Sequence, residues 1–339
     1  MKADQRRESF EPKTREEWSS FIARELQATR QAYLAKPAFL LGHSRSEQQT
    51  TADYAGRELL ELVQNAADAA AEVGGLGRVL IQVTPGCLYV ANTGQPFRTG
   101  GVTSLMTAHT SDKPTRAARM IGAKGLGFRA ILNWTEAPLI SSGPLEIGFS
   151  RDHASAQVTD LERQSPEIAK KLRSAKADSA PLLVFPAAGD ALEEHLDIGT
   201  TGILNHVRTL RIQGYDTVVA APFRDQRAYE KAIEQAREFE PSFLLFVSAL
   251  HEIRIQLPEE QERDWSIEQD EEVDGDVKIR LTSGTDTEVQ TWILRQRQGI
   301  RECPIFCVTG IWSMLPERSK DDDDFQGTAG RTSEGLRAP

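Results

Sequence analysis

Three polar side chains, Glu61, Asn65 and Asp68, interrupt the apolar run ELVQNAADA. Their i, i+4, i+7 spacing places them on one stripe of a helix. No Lys or Arg lies between Glu58 and Arg78, so this is not the mixed-charge face of an ordinary surface helix. A Glu beside a phosphate ester can orient and deprotonate water as a general base. An Asn one turn further on can offer its amide oxygen to Mg2+, a hard cation that keeps water and phosphate oxygens in its shell. Leu62, Ala66, Ala69 and Val73 form an adjacent apolar stripe suited to packing on a core. The polar stripe therefore stands at the edge of a buried face, where a pocket has room. A solvated stripe on an alanine-rich helix accounts for the nonapeptide equally well.

Two glycine-bearing stretches carry related chemistry. In VANTGQPF, at the end of a predicted strand, Asn92 can accept and donate, as the amine and neighbouring ring nitrogen of adenine require. Gly94 permits a positive φ or a close backbone approach, although a simple turn explains Asn-Thr-Gly-Gln-Pro as well. In IGAKGLGFRAIL, Gly122, Gly125 and Gly127 precede a predicted helix whose first amides lack intrahelical partners. Such a terminus takes anions, and Lys124 adds positive charge. No Gly-Lys-Ser/Thr follows, which excludes a Walker A loop, and the glycines do not follow a strand as the dinucleotide fingerprint requires.

Positioning these residues needs a particular set of elements. Residues 14–36 have the spacing of an amphipathic helix closed by Pro37, followed by a polar loop, GHSRSEQQTTAD. The helix of the polar stripe is expected from Tyr54 to Val73, ending at Gly74-Gly75. Strands are expected in RVLIQVT, CLYVAN, PLISS, LEIGFS, PLLVFP and DTVVAAPF, with a long Gly/Thr/Ser-rich loop over Thr93–Lys124. That loop holds a short helical piece near Val102–Ala108. GFRAILNWT reads as a helix and residues 150–178 as partly helical. Gln226–Glu240 reads as a helix, and SFLLFVSALHEIRIQL as a short helix entering a strand. The acidic EEQERDWSIEQDEEVDGD reads as a solvated turn region ahead of strands VKIRLTS and VQTWILRQ.

The 339 residues suffice for two domains, and 39% hydrophobic with 27% charged residues is an ordinary globular balance. A formal net charge of -10 argues against a chain that coats nucleic acid. No apolar run reaches membrane-spanning length and no signal-peptide core opens the chain, so a cytoplasmic setting is expected. Cys87, Cys303 and Cys307 give neither a disulfide framework nor a metal-ligand pattern.

Taken in order, Glu61-x3-Asn65-x2-Asp68-Ala69, Asn92-x-Gly94 and Gly122-x2-Gly125-x-Gly127-Phe128 resemble the motifs of the GHKL ATPase superfamily. The sacsin-like members are the nearest pattern, and NWTEAPLISSG resembles a further phrase of theirs. The resemblance covers residues 50–225 and runs more loosely to about 300. It implies an α+β chain in which a Bergerat-type two-layer α/β sandwich precedes a smaller α/β coupling domain. The expected division is an N-terminal helix and arm at 1–45, the ATP-binding domain at 46–225, the coupling domain at 226–315 and a disordered acidic tail at 316–339.

Carried over residue by residue, the resemblance makes Glu61 the general base, Asn65 the Mg2+ ligand and Asp68 a supporting group. Asn92 would read adenine where most members have Asp, with Gly94 beside it and Thr217 completing the base pocket. Gly122, Lys124, Gly125, Gly127 and Phe128 would line the phosphate side, and Thr93–Lys124 would be an ATP lid carrying Ser111 and Lys113. The pattern is not followed throughout: Pro96 replaces a glycine, Tyr215-Asp216 precede Thr217, and Arg129 replaces a Lys. The implied function is Mg-dependent binding and slow hydrolysis of ATP driving a lid-closing clamp. Such a clamp is either chaperone-like or the ATPase subunit of a larger defence- or DNA-related assembly. The alternative is a non-hydrolysing, nucleotide-gated scaffold. Partners would be a protein or a second copy on closure, nucleic acid only through a larger assembly, and no membrane. His43, in a loop-like context, does not supply the phosphoacceptor helix of a histidine kinase.

Overall fold

The computed structural model describes residues 11–107, 127–175, 180–194, 198–240, 244, 249–269, 276–283, 289–298 and 310–316. The chain is mixed α/β. Helix α1 (Arg15–Ala35) matches the expected span, with the Thr14 hydroxyl accepting the Glu17 amide hydrogen at 3.2 Å and Trp18, Ile22 and Tyr33 buried.

The polar loop expected at 42–53 is instead most of a helix, α2 (Ala38–Asp53). Its buried positions, Leu40, Ser44, Glu47 and Thr50, keep helical spacing, but only one of them is apolar. The Glu47 carboxylate accepts the amide hydrogens of Leu182 at 2.6 Å and Leu183 at 2.9 Å. A partner far along the chain thus replaces the apolar stripe that sequence periodicity detects. Those amides lie in PLLVFP, which is buried as expected but turns instead of forming a strand.

Helix α3 (Glu58–Glu72) carries the polar stripe and is followed by Gly74 and Gly75 at φ 103° and 89°, where L-residues are disfavoured. It begins later than expected because α2 continues to Asp53 and a turn with Gly56 at φ 86° separates the two helices, and a distant side chain caps its start. Gln235, on a helix over Gln226–Glu238, donates to Glu58 Oε2 at 2.6 Å and accepts the Leu59 amide hydrogen at 3.1 Å.

Strands β1 (Gly77–Val83) and β2 (Cys87–Asn92) form the expected hairpin, and α4 (Thr99–Met106) follows. A 3-10 turn, Gly127–Asn133, stands where an α-helix is expected. Strands β3 (Leu139–Ser142) and β4 (Leu145–Gly148) come next, then helices α5 (Arg151–Gln164) and α6 (Pro166–Ala175). A short β5 (Ala187–Ala188), α7 (Asp190–Glu194), α8 (Ile198–Ile212), β6 (Thr217–Pro222) and the α9 helix of Gln235 complete this stretch. Strand β7 (Leu250–Gln256) appears as expected, whereas the acidic region taken for a turn contains β8 (Arg263–Gln269).

The strand order here is β8-β7-β1-β2-β6-β3-β4-β5. All pairings in it are antiparallel except β1 with β7. Alternation divides the sheet into two buried faces. Leu80, Tyr89, Ala91, Leu139, Val218 and Ala220 pack with Val207 and Leu210 of α8. Ile81, Val90, Ile140 and Val219, which face the other way, are buried as well.

Two compact units make up the chain. One is Met1–Ser266 with Ser283–Thr287, and the other is Ile267–Thr282 with Glu288–Pro339. The first runs past residue 225, where sequence suggests a boundary, because β7 pairs with β1. In the second, β9 (Asp276–Ser283), β10 (Val289–Gln298) and β11 (Gly310–Pro316) form an antiparallel meander. The expected tail beyond Pro316 lies outside the described residues.

Candidate functional site

Helix α3 collects the described parts of all three motifs. At its N-terminal half, Glu61 is only 8% exposed and its carboxylate lies against Gly127. A β-carbon built on Gly127 would overlap Glu61 Oε2 and approach Cδ to 2.9 Å, so a larger residue at 127 would displace the Glu61 carboxylate from this position. On the other side, Arg57 Nη2 pairs with Glu61 Oε1 at 3.0 Å from the preceding turn. Burial pushes the Glu61 carboxyl above the usual carboxylate range, and the Arg57 charge pulls part of the way back.

Along the same helix, Asn65 is exposed and Asp68 half-buried. Near its C-terminal end the loop after β2 docks against the backbone. The Gln95 amide donates to Ala69 O at 2.8 Å. Gly94, at φ 140°, sits so close that an added β-carbon would come within 2.6 Å of Ala69 C and 2.7 Å of Ala70 N. From Ala69 back to Glu61 is roughly 12 Å along the axis at the α-helical rise.

The β2–β6–β3 register assembles a polar row beside this loop. Asn92 lies opposite Thr217, and Thr217 opposite Ser142, so the three side chains share one face, the one away from α8. All are buried, at 6%, 4% and 0% exposed. Asn92 Nδ2 donates to Thr93 O at 3.3 Å, and the Ser142 and Thr217 hydroxyls are 2.6 Å apart. Ser142 Oγ also accepts the Phe97 amide hydrogen at 2.9 Å.

Asp216 ties this row together. Its carboxylate accepts the Gly94 amide hydrogen at 2.9 Å, its own amide donates to Asn92 O at 2.8 Å, and its carbonyl accepts from Gly143 at 3.1 Å. Neither Ser142 nor Asp216 stands out as a site residue in the sequence. Their roles depend on strand register, and the local signals are that Ser142 lies within NWTEAPLISSG and that Asp216 directly precedes Thr217.

Of the other expected site residues, Phe128 is buried at 3% exposed. Arg129, which follows it, is 2% exposed and donates from Nη2 to Leu105 O at 3.0 Å. Burial lowers its pKa and the charge of Glu47 counters this, so Arg129 belongs to the interior network of α2. Ser111, Lys113, Gly122, Lys124 and Gly125 lie outside the described residues. Among the described residues no group of three or more His, Cys, Asp and Glu could hold a metal ion. No described helix is long and apolar enough to cross a membrane. No family model matches the chain, and no curated protein gives a significant match to it.

Proposed function

We propose that the first unit is a GHKL-type ATP-binding domain with a Bergerat-type fold, binding Mg-ATP along α3 and hydrolysing it slowly. The observation that carries this reading is the convergence on one helix of two glycine positions far apart in sequence. Gly127 abuts Glu61 and Gly94 abuts Ala69. The two contacts lie roughly 12 Å apart along the helix axis, a spacing this reading assigns to a ligand with a base at one end and phosphates at the other. Asn92 and Thr217, paired across β2 and β6, lie at the base end. Glu61 and Asn65 lie at the phosphate end.

The donor chemistry fits the ligand. Asn65 is exposed and offers a neutral oxygen, while Glu61 offers a carboxylate whose burial raises its proton affinity. Bound Mg2+ would neutralise phosphate charge and orient the terminal phosphate. Glu61 would accept a proton from the attacking water, and Arg57 would hold the carboxylate in place between turnovers. On this reading the second unit belongs to the part that couples nucleotide state to a protein partner or a second copy. The Arg57–Glu61 ion pair also suits a site that waits for a partner before turning over, so the nucleotide-gated scaffold remains the second reading.

Phosphate release from ATP tests the proposal. It should be measurable with Mg2+ present and fall to background with excess EDTA. Turnover unaffected by EDTA would contradict the placement of a metal at Asn65. Nucleotide binding without turnover would favour the scaffold.

A further inference from the structure

Within the row Asn92–Thr217–Ser142, Ser142 makes no expected contact with a ligand, yet its hydrogen bonds determine what Thr217 can offer. Ser142 is 0% exposed. Its oxygen accepts the Phe97 amide hydrogen at 2.9 Å, and its one remaining interaction among those described is with Thr217 at 2.6 Å. A hydroxyl has a single hydrogen. Either direction leaves one hydrogen without an acceptor among the described residues, and this costs most on the side chain that water cannot reach, which is Ser142 at 0% exposed against 4% for Thr217. If Ser142 donates to Thr217, both of its bonds are satisfied. The free hydrogen is then that of Thr217, the side chain that keeps some exposure.

Asn92 is oriented by a similar argument. The group facing its amide is the Thr93 carbonyl, which can only accept, so Nδ2 must face it and Oδ1 faces the other way.

We infer that Ser142 is a positioning residue that sets the base preference of the site: by donating to Thr217 it makes the row present an acceptor at Asn92 next to a donor at Thr217. The inference rests on the nucleotide reading above. An acceptor beside a donor complements a 6-aminopurine edge, which offers an amine hydrogen and then a bare ring nitrogen. It opposes a 6-oxopurine edge, which offers a carbonyl oxygen and then a ring N–H.

The test is calorimetric binding of Mg-ATP and Mg-ITP (inosine triphosphate) to the full chain, because the two bases differ at this edge alone. The wild type is expected to prefer ATP by tenfold or more. Ser142→Ala, which frees the Thr217 hydroxyl to turn either way, should cut that ratio by about tenfold, the effect of one hydrogen bond. A purely structural role would weaken both nucleotides equally and leave the ratio unchanged, which would overturn the inference. Thr217→Val, near in shape, removes the donor directly and serves if the Ser142 variant does not fold. It should lower the ratio by a similar factor, and an unchanged ratio would again overturn the inference. A wild type that binds both nucleotides equally contradicts the assigned polarity. A wild type that binds neither contradicts the nucleotide site itself.

Discussion

Glu61→Gln is expected to lower ATP turnover by about a thousandfold while leaving Mg-ATP affinity within a few-fold of wild type. General-base catalysis typically contributes on the order of 10² to 10⁴ in rate, and the amide keeps the shape that fits against Gly127. The pH profile should carry the signature of the same group. Burial raises the Glu61 carboxyl, so the deprotonated base accumulates later on an upward pH scan than for an exposed Glu. Wild-type turnover should therefore climb with pH through that raised value, and the climb should vanish in the Gln variant.

The stability effect has the opposite sense. A carboxyl whose folded-state pKa is raised favours folding below its unfolded value, and that contribution is lost as pH rises through the folded value. Gln at position 61 should then be neutral or mildly stabilising near neutral pH. A loss of turnover in this variant could not be ascribed to unfolding. Single-turnover kinetics with phosphate detection check the rate, and calorimetry checks binding. Equal turnover in the two proteins would remove Glu61 from the chemistry.

The second large effect is structural. Gly94→Ala should destabilise the protein by about 3–5 kcal/mol, judged from the backbone strain of such a φ together with a steric clash. Gly94 sits at φ 140°, and the atoms its β-carbon would meet at 2.6–2.7 Å are backbone atoms of Ala69 and Ala70, which cannot swing aside as a side chain could. Relief would require the loop to lift from α3. That would break the Gln95–Ala69 and Gly94–Asp216 hydrogen bonds, and the base end of the site with them. Gly86→Ala is the control, since nothing lies within 4 Å of its added carbon. It should change stability by no more than about 0.5 kcal/mol, as surface substitutions usually do. Urea unfolding of the two variants makes the comparison. Equal midpoints would mean that the Gly94 loop is not held against α3.

Elements with a local cause were legible in the sequence. The apolar positions of α1 and the glycines after α3 act within a few residues. So do the short apolar runs of β1, β2 and β6. Elements with a distant cause were not. Helix α2 buries Glu47 against amides of Leu182 and Leu183, and α3 begins where Gln235 caps it. Strand β8 lies in an acidic stretch and is paired to β7 by register, and its own apolar alternation is limited to Trp265 and Ile267. The site divides in the same way. Glu61 and Gly94 could be picked by residue type and spacing, and Thr217 only through the family resemblance. Asp216 and Ser142 acquire their roles only when β2, β6 and β3 are aligned.

Backbone hydrogen exchange with and without Mg-ATP tests the central claim, that the ligand lies along α3, most directly. Added nucleotide should slow exchange in peptides covering Glu61–Ala69 and Asn92–Phe97 together, leaving β9–β11 unchanged in the first seconds. Binding that protects other segments and leaves α3 unaltered would place the nucleotide elsewhere and contradict the site described above.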